Sequence, residues 1–306
     1  MRTYLDCLPC LLSQALKAAR AATDDQNAHR MVLNSIASMI PQLSLGLSPP
    51  EIGQRGYQLI YQFTGNSDPF RKVKAESNRA ALAVYPRLKR MVASSDDPLL
   101  TACKLAIAGN SIDVATNVKQ VTIDKIIEMA SACPLAINNY DEFRSSISNS
   151  QRILYLGDNA GEIVFDRVFI EELHRVKELE IDFVVRERPI INDATLEDAI
   201  VVGMNKVARI VSSGSDAPAT ILSQCSSDML KLYNSADVII AKGQGNYESL
   251  DEEPGNIFFF LRAKCQVVAE QLGVNVGDAI LKQGRGSSHD KEAYPRKGSR
   301  EVKSYG

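Results

Sequence analysis

The sequence predicts an α/β fold: a mostly parallel sheet in an α/β/α sandwich of Rossmann-like type, preceded by an all-helical N-terminal region. Two observations support this prediction. Up to about residue 150, apolar residues recur mostly at the three- and four-residue spacing of amphipathic helices. Beyond that point, short runs rich in Val, Ile, Leu and Phe alternate with helical stretches. Such alternation is typical of parallel sheets whose two faces are covered by helices.

The N-terminal region is predicted to contain helix after helix, with almost no strand-like alternation. Asp6, Ser48, Asp68 and Asp97 are candidate N-caps, and prolines lie near several helix starts. The helical stretches are CLLSQALKAARAA, QNAHRMVLNSIASMI, SPPEIGQRGYQLIYQFTG, DPFRKVKAESNRAALAVYPRLKRMVA and DPLLTACKLAIAGNSID.

The sheet region is predicted to contain six strands separated by helices, and it divides the chain into three parts. The strands are expected at 152–156, 181–186, 208–213, 237–242, 257–263 and 278–282, and the helices at about 163–177, 195–204, 217–233 and 265–272. The parts are a helical region covering the site (1–148), a metal- and phosphate-binding α/β/α domain (149–282) and a poorly packed, disordered tail (283–306).

Composition excludes several classes of function. The chain has 306 residues, and 35 Lys plus Arg against 37 Asp plus Glu give a formal charge of -2. This balance supplies no long-range attraction to nucleic acid or to an anionic membrane. No apolar run approaches the roughly 20 residues of a membrane span, and the N-terminus lacks a secretory signal, so a cytoplasmic protein is expected. The six cysteines are sparse and indicate reduced thiols.

The loops after the predicted strands carry the candidate functional residues. In an open parallel sheet, ligands bind outside the carboxyl ends of the strands. Four such loops combine small, amide and acidic residues: Gly157, Asp158, Asn159, Gly161 and Glu162; Asn192 and Asp193; Ser213, Gly214 and Ser215; Lys242, Gly243, Asn246 and Glu248.

A cation and a phosphate are the ligands that these loops favour together. Asp158, Asn159 and Asp193 offer hard oxygen atoms, which suit Mg²⁺ or Mn²⁺. One loop alone is explained as well by Asp and Asn capping the helix that follows. Convergence favours a ligand site, because Lys242 and a cation together would neutralise a phosphate. The glycines after the strands, and the small residues Ser213 and Gly214, would let backbone N–H groups at helix starts approach the same phosphate.

Several common catalytic motifs are missing from the sequence. It contains no G-x-x-x-x-G-K-[ST], G-x-S-x-G or H-E-x-x-H pattern. The three histidines, His29, His174 and His289, fall on predicted helices or in the tail. Catalysis is therefore expected to depend on the acids.

At this level the chain resembles the damage-control phosphatases, a family formerly classed as a domain of unknown function and related to a protein once proposed as an acidic-residue methyltransferase. The likeness spans the whole length and depends on many motifs in one order. They are YLDCLPCLLSQAL, DPFRKVKAESNRAAL, AIAGNSID, GDNAGEIVFD, RERPIINDATLEDA, AKGQGNYESL and AKCQVVAEQLGV.

The resemblance implies a divalent-cation-dependent phosphatase acting on sugar phosphates and related damaged metabolites. Mn²⁺, Mg²⁺, Co²⁺ or Ni²⁺ would serve as the cofactor, and a small phosphorylated metabolite would be the partner. By this resemblance Asp158, Asn159 and Asp193 hold the metal, and Lys242 contacts the phosphate. Residues expected beside the substrate are Glu162, Asn246, Asn110 and Asp113.

Some roles stay open at this level. Asn78 either contacts the substrate or ties helices together. Cys7 and Cys10 form a C-x-x-C pattern, which the microbial branch of the family shares, and they either bind a soft metal or pack within a helix. Asp158 or Asp193 could also attack phosphorus directly. Competing hypotheses are a non-catalytic metal- or metabolite-binding module and, on the basis of the sheet, a methyltransferase.

Overall fold

The computed structural model describes residues 1–111, 123–132 and 134–286. The described helices are α1 Cys7–Ala22, α2 Gln26–Met39, α3 Pro49–Thr64, α4 Arg71–Ala93, α5 Pro98–Gly109, α6 Ile123–Ala132, α7 Tyr140–Ser148, α8 Glu162–Val176, α9 Leu196–Val201, α10 Ser227–Ser235, α11 Gly243–Leu250 and α12 Gln266–Leu272. The described strands are β1 Leu135–Asn138, β2 Arg152–Leu156, β3 Glu180–Val185, β4 Arg209–Ser212, β5 Val238–Lys242, β6 Ile257–Arg262 and β7 Ala279–Gln283. The predicted disordered tail lies outside the described residues from residue 287 onward.

The strands form one sheet in the order β1-β7-β6-β5-β2-β3-β4. Neighbouring strands are parallel except β6 and β7, which are antiparallel. At the centre, Tyr155 of β2 pairs with Phe183 of β3 and with Ile240 of β5. The predicted α/β fold with a mostly parallel sheet is confirmed.

The two faces of the sheet pack against different helices. Successive side chains of a strand point to opposite faces. Tyr155 and Phe183 therefore join the core formed with α4, α5 and α8, whereas their neighbours Leu156 and Val184 join the core formed with α10, α11 and α12. This arrangement makes the central strands largely apolar, as the sequence runs predicted.

Helices α1, α2 and α3 form a third core over the carboxyl ends of the strands. This core includes Ile190, from the loop that follows β3. The Tyr61 hydroxyl of α3 donates to the Pro189 carbonyl at 2.9 Å, and Gln54 Nε2 donates to Asp216 Oδ1 at 2.6 Å. The N-terminal helices are thereby fixed above the loops where the functional residues were expected.

Two elements differ from the prediction. The region predicted to be helical supplies β1, which pairs with β7 at the edge of the sheet. Its four residues alternate between half-buried and exposed positions, a run too short to show a strand period. The helix predicted at 217–233 is observed as α10, which begins only at Ser227. The first residues of the predicted helix belong to a Ser-rich loop, in which the side chains of Ser213 and Ser215 hydrogen-bond to nearby backbone groups.

Strand order creates a crevice beside β2. From β2 the chain proceeds to β3 and β4 on one side, whereas β5 and β6 lie on the other side. The helices that follow β2 and β5, α8 and α11, pack on opposite faces of the sheet. Such a topological switch point is where open α/β sheets bind ligands. None of the helices in the described ranges combines the length and hydrophobicity that crossing a membrane requires.

Candidate active site

A cleft of about 390 Å³ lies at the switch point, between the sheet and helices α1 and α3. Asp158, Asn159 and Asp193 line its sheet side. Its other walls come from α1, α3 and the segment between β6 and α12, where Lys264 lies. The cleft has the size of a small-molecule site.

Two loops are joined side by side at the floor of the cleft. Asp158 and Asn159 directly follow β2, and the loop after β3 folds back to meet them. Ala160 N–H donates to the Asn192 carbonyl and Ala194 N–H to the Asp158 carbonyl, both at 2.8 Å. Asn159 and Asp193 thus form a short antiparallel bridge, which brings the three predicted metal ligands together.

Two amides hold the Asp158 carboxylate in place. Asn110 Nδ2 and Asn159 Nδ2 donate to Asp158 Oδ2 at 2.9 and 2.7 Å. The same two nitrogen atoms donate to Glu162 Oε2 at 2.9 and 3.0 Å. Asn110 directly follows α5 and lies at the predicted site. It was predicted to lie beside the substrate, and the structure shows it bound to the carboxylates of Asp158 and Glu162.

Negative charge accumulates around Asp158. Burial raises the pKa of Asp158 well above its usual range, and the charges of Glu162 and Asp193 raise it further. Lys264 and Arg186 oppose this effect by lowering the pKa of Asp158. A position where buried carboxylates repel one another is one that a divalent cation stabilises.

Arg186 fixes the orientation of Asp193. Its side chain is buried, and its Nε donates to Asp193 Oδ2 at 2.8 Å. Further donors of Arg186 reach Thr220 Oγ1 and the Gly157 carbonyl, both at 3.5 Å. One side of the Asp193 carboxylate is therefore held by the guanidinium, and Asp193 is also a residue of the cleft wall.

Lys242 lies below the cleft in a fully buried ion cluster. Its Nζ donates to Glu162 Oε1 at 2.6 Å, to the Ala106 carbonyl at 2.9 Å and to Asp166 Oδ1. The Tyr155 hydroxyl also donates to Asp166 Oδ1, at 2.7 Å. Burial raises the pKa of Asp166 to about 6 although Lys242 acts to lower it. The predicted contact of Lys242 with a phosphate stays a prediction.

The chemistry of the donor set fits a hard divalent cation. Asp158 and Asp193 supply carboxylate oxygens and Asn159 an amide oxygen, the ligand types that Mg²⁺ and Mn²⁺ prefer. The backbone of Gly243 comes so close that a Cβ there would lie 1.9 Å from Asp158 Oδ2. Within the described ranges, no three His, Cys, Asp or Glu side chains are arranged around one metal position. A cation at this site would therefore depend on the amide as well as on the two acids.

Comparison with known proteins identifies the family. The model of the damage-control phosphatase ARMT1-like domain matches residues 3–280. The chain belongs to this family. A damage-control phosphatase of Pyrococcus horikoshii is 32% identical over 93% of this chain and 99% of its own length. One from Archaeoglobus fulgidus is 35% identical over 90% of this chain and 97% of its own length.

A solved structure shares the fold of this damage-control phosphatase family member. The crystal structure of a DUF89 family protein from Pyrococcus horikoshii superimposes with a TM-score of 0.85 at 32% sequence identity. The match covers 93% of this chain and all of the other. The resemblance drawn from the sequence motifs is confirmed.

Asn246 and Asn78 make structural contacts in this family member. Asn246 Oδ1 accepts from Thr220 N–H at 2.8 Å, and its Nδ2 donates to the Lys242 carbonyl at 2.7 Å. Asn78 Oδ1 accepts from Gly161 N–H at 2.7 Å, and its Nδ2 donates to Asp198 at 2.9 Å. Of the two roles considered for Asn78, these contacts match the one that ties helices together. A substrate contact by either asparagine stays a prediction.

The structure does not bring Ser213 and Gly214 to the cleft. Ser213 Oγ donates to the Ser215 carbonyl at 3.1 Å, so this loop closes on itself. Gly214 packs against Ser226, where a Cβ would lie 2.6 Å from the serine Cβ. Their polar groups are directed to the loop and to the start of α10. Asp113 lies outside the described residues.

Three thiols line the cleft. Cys7 and Cys10 come from α1 and Cys265 precedes α12. Burial raises the pKa of Cys7, and nearby Glu248 raises it further. Burial also raises the pKa of Cys265. The thiol form is thus favoured at neutral pH, and the role of the C-x-x-C pair stays a prediction.

Three residues of the site were not predicted from the sequence. Arg186 directly follows β3 within RERPIIND, and Lys264 follows β6 within AKCQVV, so the strand-end rule applies to both. Asp166 lies one helical turn after Glu162 on α8, on the same face. That spacing places both carboxylates next to Lys242, and it was the available signal for Asp166.

Proposed function

We propose that the chain is a divalent-cation-dependent phosphomonoesterase for small metabolites, such as sugar phosphates and related damaged metabolites. Mn²⁺, Mg²⁺, Co²⁺ or Ni²⁺ is the proposed cofactor. The observation that carries the proposal is the set of three oxygen donors, Asp158, Asn159 and Asp193, on one wall of a small-molecule cleft. Family membership supports the same chemistry, since relatives 32% and 35% identical are named damage-control phosphatases.

The surrounding residues keep the proposed cation ligands in one orientation. Two amide donors hold Asp158 and the guanidinium of Arg186 holds Asp193. A divalent cation bound there would neutralise phosphoryl oxygens and lower the pKa of a water molecule. Fixed ligands of this kind need little reorganisation during reaction, which is the main source of electrostatic catalysis.

Positive charge for the phosphate comes from lysines in this proposal. Lys264 lines the cleft, and its positive charge lowers the pKa of Asp158. Lys242 lies behind Glu162 and offsets the buried acids. Lys264 would therefore bind the phosphoryl group from the cleft wall, whereas Lys242 acts from below. Together they balance charge that develops on phosphorus.

Two routes to hydrolysis differ in the attacking atom. In one route a water molecule attacks phosphorus, and in the other a carboxylate of Asp158 or Asp193 attacks first and forms an aspartyl-phosphate. The second route leaves a phosphorylated enzyme that a water molecule then hydrolyses. Rapid acid quenching of a single turnover with ³²P-labelled substrate distinguishes them, because only the second route yields labelled protein.

A phosphate-release assay tests the proposal. The protein is incubated with a panel of sugar phosphates and phosphorylated cofactors together with each of the four cations. We expect Asp158→Asn to lose at least about 100-fold in kcat/KM, because it removes the buried charge on which the site depends. Asp228→Asn is the matched control, since Asp228 is an exposed carboxylate on α10. Equal activity of wild type and Asp158→Asn would refute the assignment.

A further inference from the structure

Asn192 is a buried residue of the cleft wall, and its side-chain amide is unpartnered. Its side chain is 1% exposed, and neither Nδ2 nor Oδ1 has a hydrogen-bond partner in the described part of the chain. The residue lines the cleft beside Asp193. Buried amides are almost always hydrogen-bonded, and leaving one unpaired destabilises the folded protein. An unpaired amide on a residue of a cavity wall therefore marks a position that a ligand group can complete.

The backbone around Asn192 is held in one conformation. The Asn192 carbonyl accepts from Ala160 N–H at 2.8 Å, and Asp193 N–H donates to the Ile190 carbonyl at 3.0 Å. Ile191, which precedes Asn192, has a φ of 46°, an unfavourable left-handed conformation for a β-branched residue. Such strain persists where surrounding contacts fix it, and it is common at ligand sites.

The amide selects a ligand group that both donates and accepts. Asn192 Nδ2 needs an acceptor and Oδ1 needs a donor. Phosphate oxygens and the carboxylates of Asp158 and Asp193 only accept hydrogen bonds when ionised. A hydroxyl satisfies both atoms of the amide. Since Asn192 adjoins Asp193, that hydroxyl would lie next to the phosphoryl group.

We propose that Asn192 is a specificity-determining residue that binds a substrate hydroxyl on the carbon next to the phosphorylated carbon. This inference rests on the proposed phosphatase function and names the substrate feature that the cleft recognises. A site built to hydrogen-bond a hydroxyl discriminates strongly against the analogue that lacks it, because its polar groups are then left unpaired. Substrates are accordingly phosphomonoesters with a vicinal hydroxyl, whereas simple alkyl phosphates bind weakly.

Two non-hydrolysable phosphonates test the inference without turnover. 3-Hydroxypropylphosphonate keeps the hydroxyl at the required distance from phosphorus, and propylphosphonate lacks it. Their dissociation constants are measured by isothermal titration calorimetry with Mn²⁺ present, for wild type, Asn192→Ala and Asn149→Ala. Asn149 is the control, because it is an exposed asparagine at the end of α7, away from the cleft, whose amide donates to the Ser145 carbonyl.

We expect wild type and Asn149→Ala to bind 3-hydroxypropylphosphonate at least about tenfold more tightly than propylphosphonate. Asn192→Ala should bind both compounds equally, with unchanged Mn²⁺ affinity. Its melting temperature should not fall, since the variant removes an unpaired amide. That stability result separates the specific role from a structural one.

Other outcomes overturn the inference in distinguishable ways. A preference for the hydroxyl compound that survives in Asn192→Ala would mean that another group of the cleft recognises the hydroxyl. Loss of Mn²⁺ affinity in that variant would make Asn192 a cation ligand instead. If wild type with Mn²⁺ binds both phosphonates equally, the inference fails while the phosphatase proposal stands. If it binds neither of them nor inorganic phosphate, the phosphatase proposal fails as well.

Discussion

Replacing Gly243 by Ala tests whether the Asp158 carboxylate must stay where it is. Gly243 has a φ of 79°, and an added Cβ would lie 1.9 Å from Asp158 Oδ2 and 3.2 Å from Asn110 Nδ2. Because a carbon and an oxygen atom in contact are more than 3 Å apart, the carboxylate would have to shift by about 1 Å. Such a shift breaks the hydrogen bonds that Asp158 Oδ2 accepts from Asn110 and Asn159.

The expected cost follows from these contacts. The left-handed conformation costs Ala about 1–2 kcal/mol. Each hydrogen bond to the charged carboxylate contributes about 1.5–3 kcal/mol. We therefore expect Gly243→Ala to lower the free energy of unfolding by about 4 kcal/mol or more. Displacing a reacting group by 1 Å reduces activity on the order of 100-fold, so kcat/KM should fall by at least that factor.

Gly273→Ala is the matched control for this prediction. Gly273 has a φ of 69°, but an added Cβ there would meet no atom within 4 Å. This variant carries the conformational cost of about 1 kcal/mol without the collision, and its kcat/KM should match wild type within twofold. The measurements are urea unfolding and phosphate release with Mn²⁺. If Gly243→Ala equals Gly273→Ala in both, the close approach of Gly243 to Asp158 has no functional role.

Three further variants test the charges around the cleft. Lys242→Met leaves two buried carboxylates without their cation and should lower the free energy of unfolding in urea by about 3–5 kcal/mol. Arg186→Lys removes the hydrogen bond that orients Asp193, so calorimetry should show Mn²⁺ binding weakened by about 10–100-fold. Arg209→Lys, which changes an exposed ion pair, is the control and should leave Mn²⁺ binding unchanged. Burial raises the pKa of Glu248 to about 7, so the folded protein binds more protons than the unfolded chain between about pH 4.5 and 7. Glu248 should therefore lower the free energy of unfolding by up to about 3 kcal/mol as pH rises through that window. Urea midpoints of Glu248→Gln should show a smaller fall than those of wild type, and the fall that is left comes from other buried acids such as Asp166, whose pKa is raised to about 6.

The architecture was predictable because its signals are local. Apolar spacing distinguishes helices from strands within each segment, and the runs that became β2, β3, β5 and β6 are long enough to be recognised. Strand β1 has only four half-exposed residues at an edge, so its pairing with β7 depends on tertiary contacts that the segment itself does not encode.

The candidate site was predictable only as far as strand ends determine it. Asp158 and Asp193 follow neighbouring parallel strands, whose carboxyl ends must meet. The same rule placed Lys242 among the acids, but the direction of its side chain depends on packing, and it points into the buried cluster. Ser213 and Gly214 also follow a strand, yet their loop satisfies its own hydrogen bonds and turns away from the cleft.

The helical layer and the sheet are parts of one catalytic unit, and this limits how the fold can be recombined. Helix α5 supplies the Ala106 carbonyl that accepts from Lys242, and Asn110 directly after it holds Asp158. A chimera that joins helices α1 to α5 of one relative to strands β2 to β7 of another would have to preserve these contacts across the junction. In evolution the two halves are therefore expected to change together, and substrate preference should shift through the walls supplied by α1 and α3 while α5 keeps its match to the sheet.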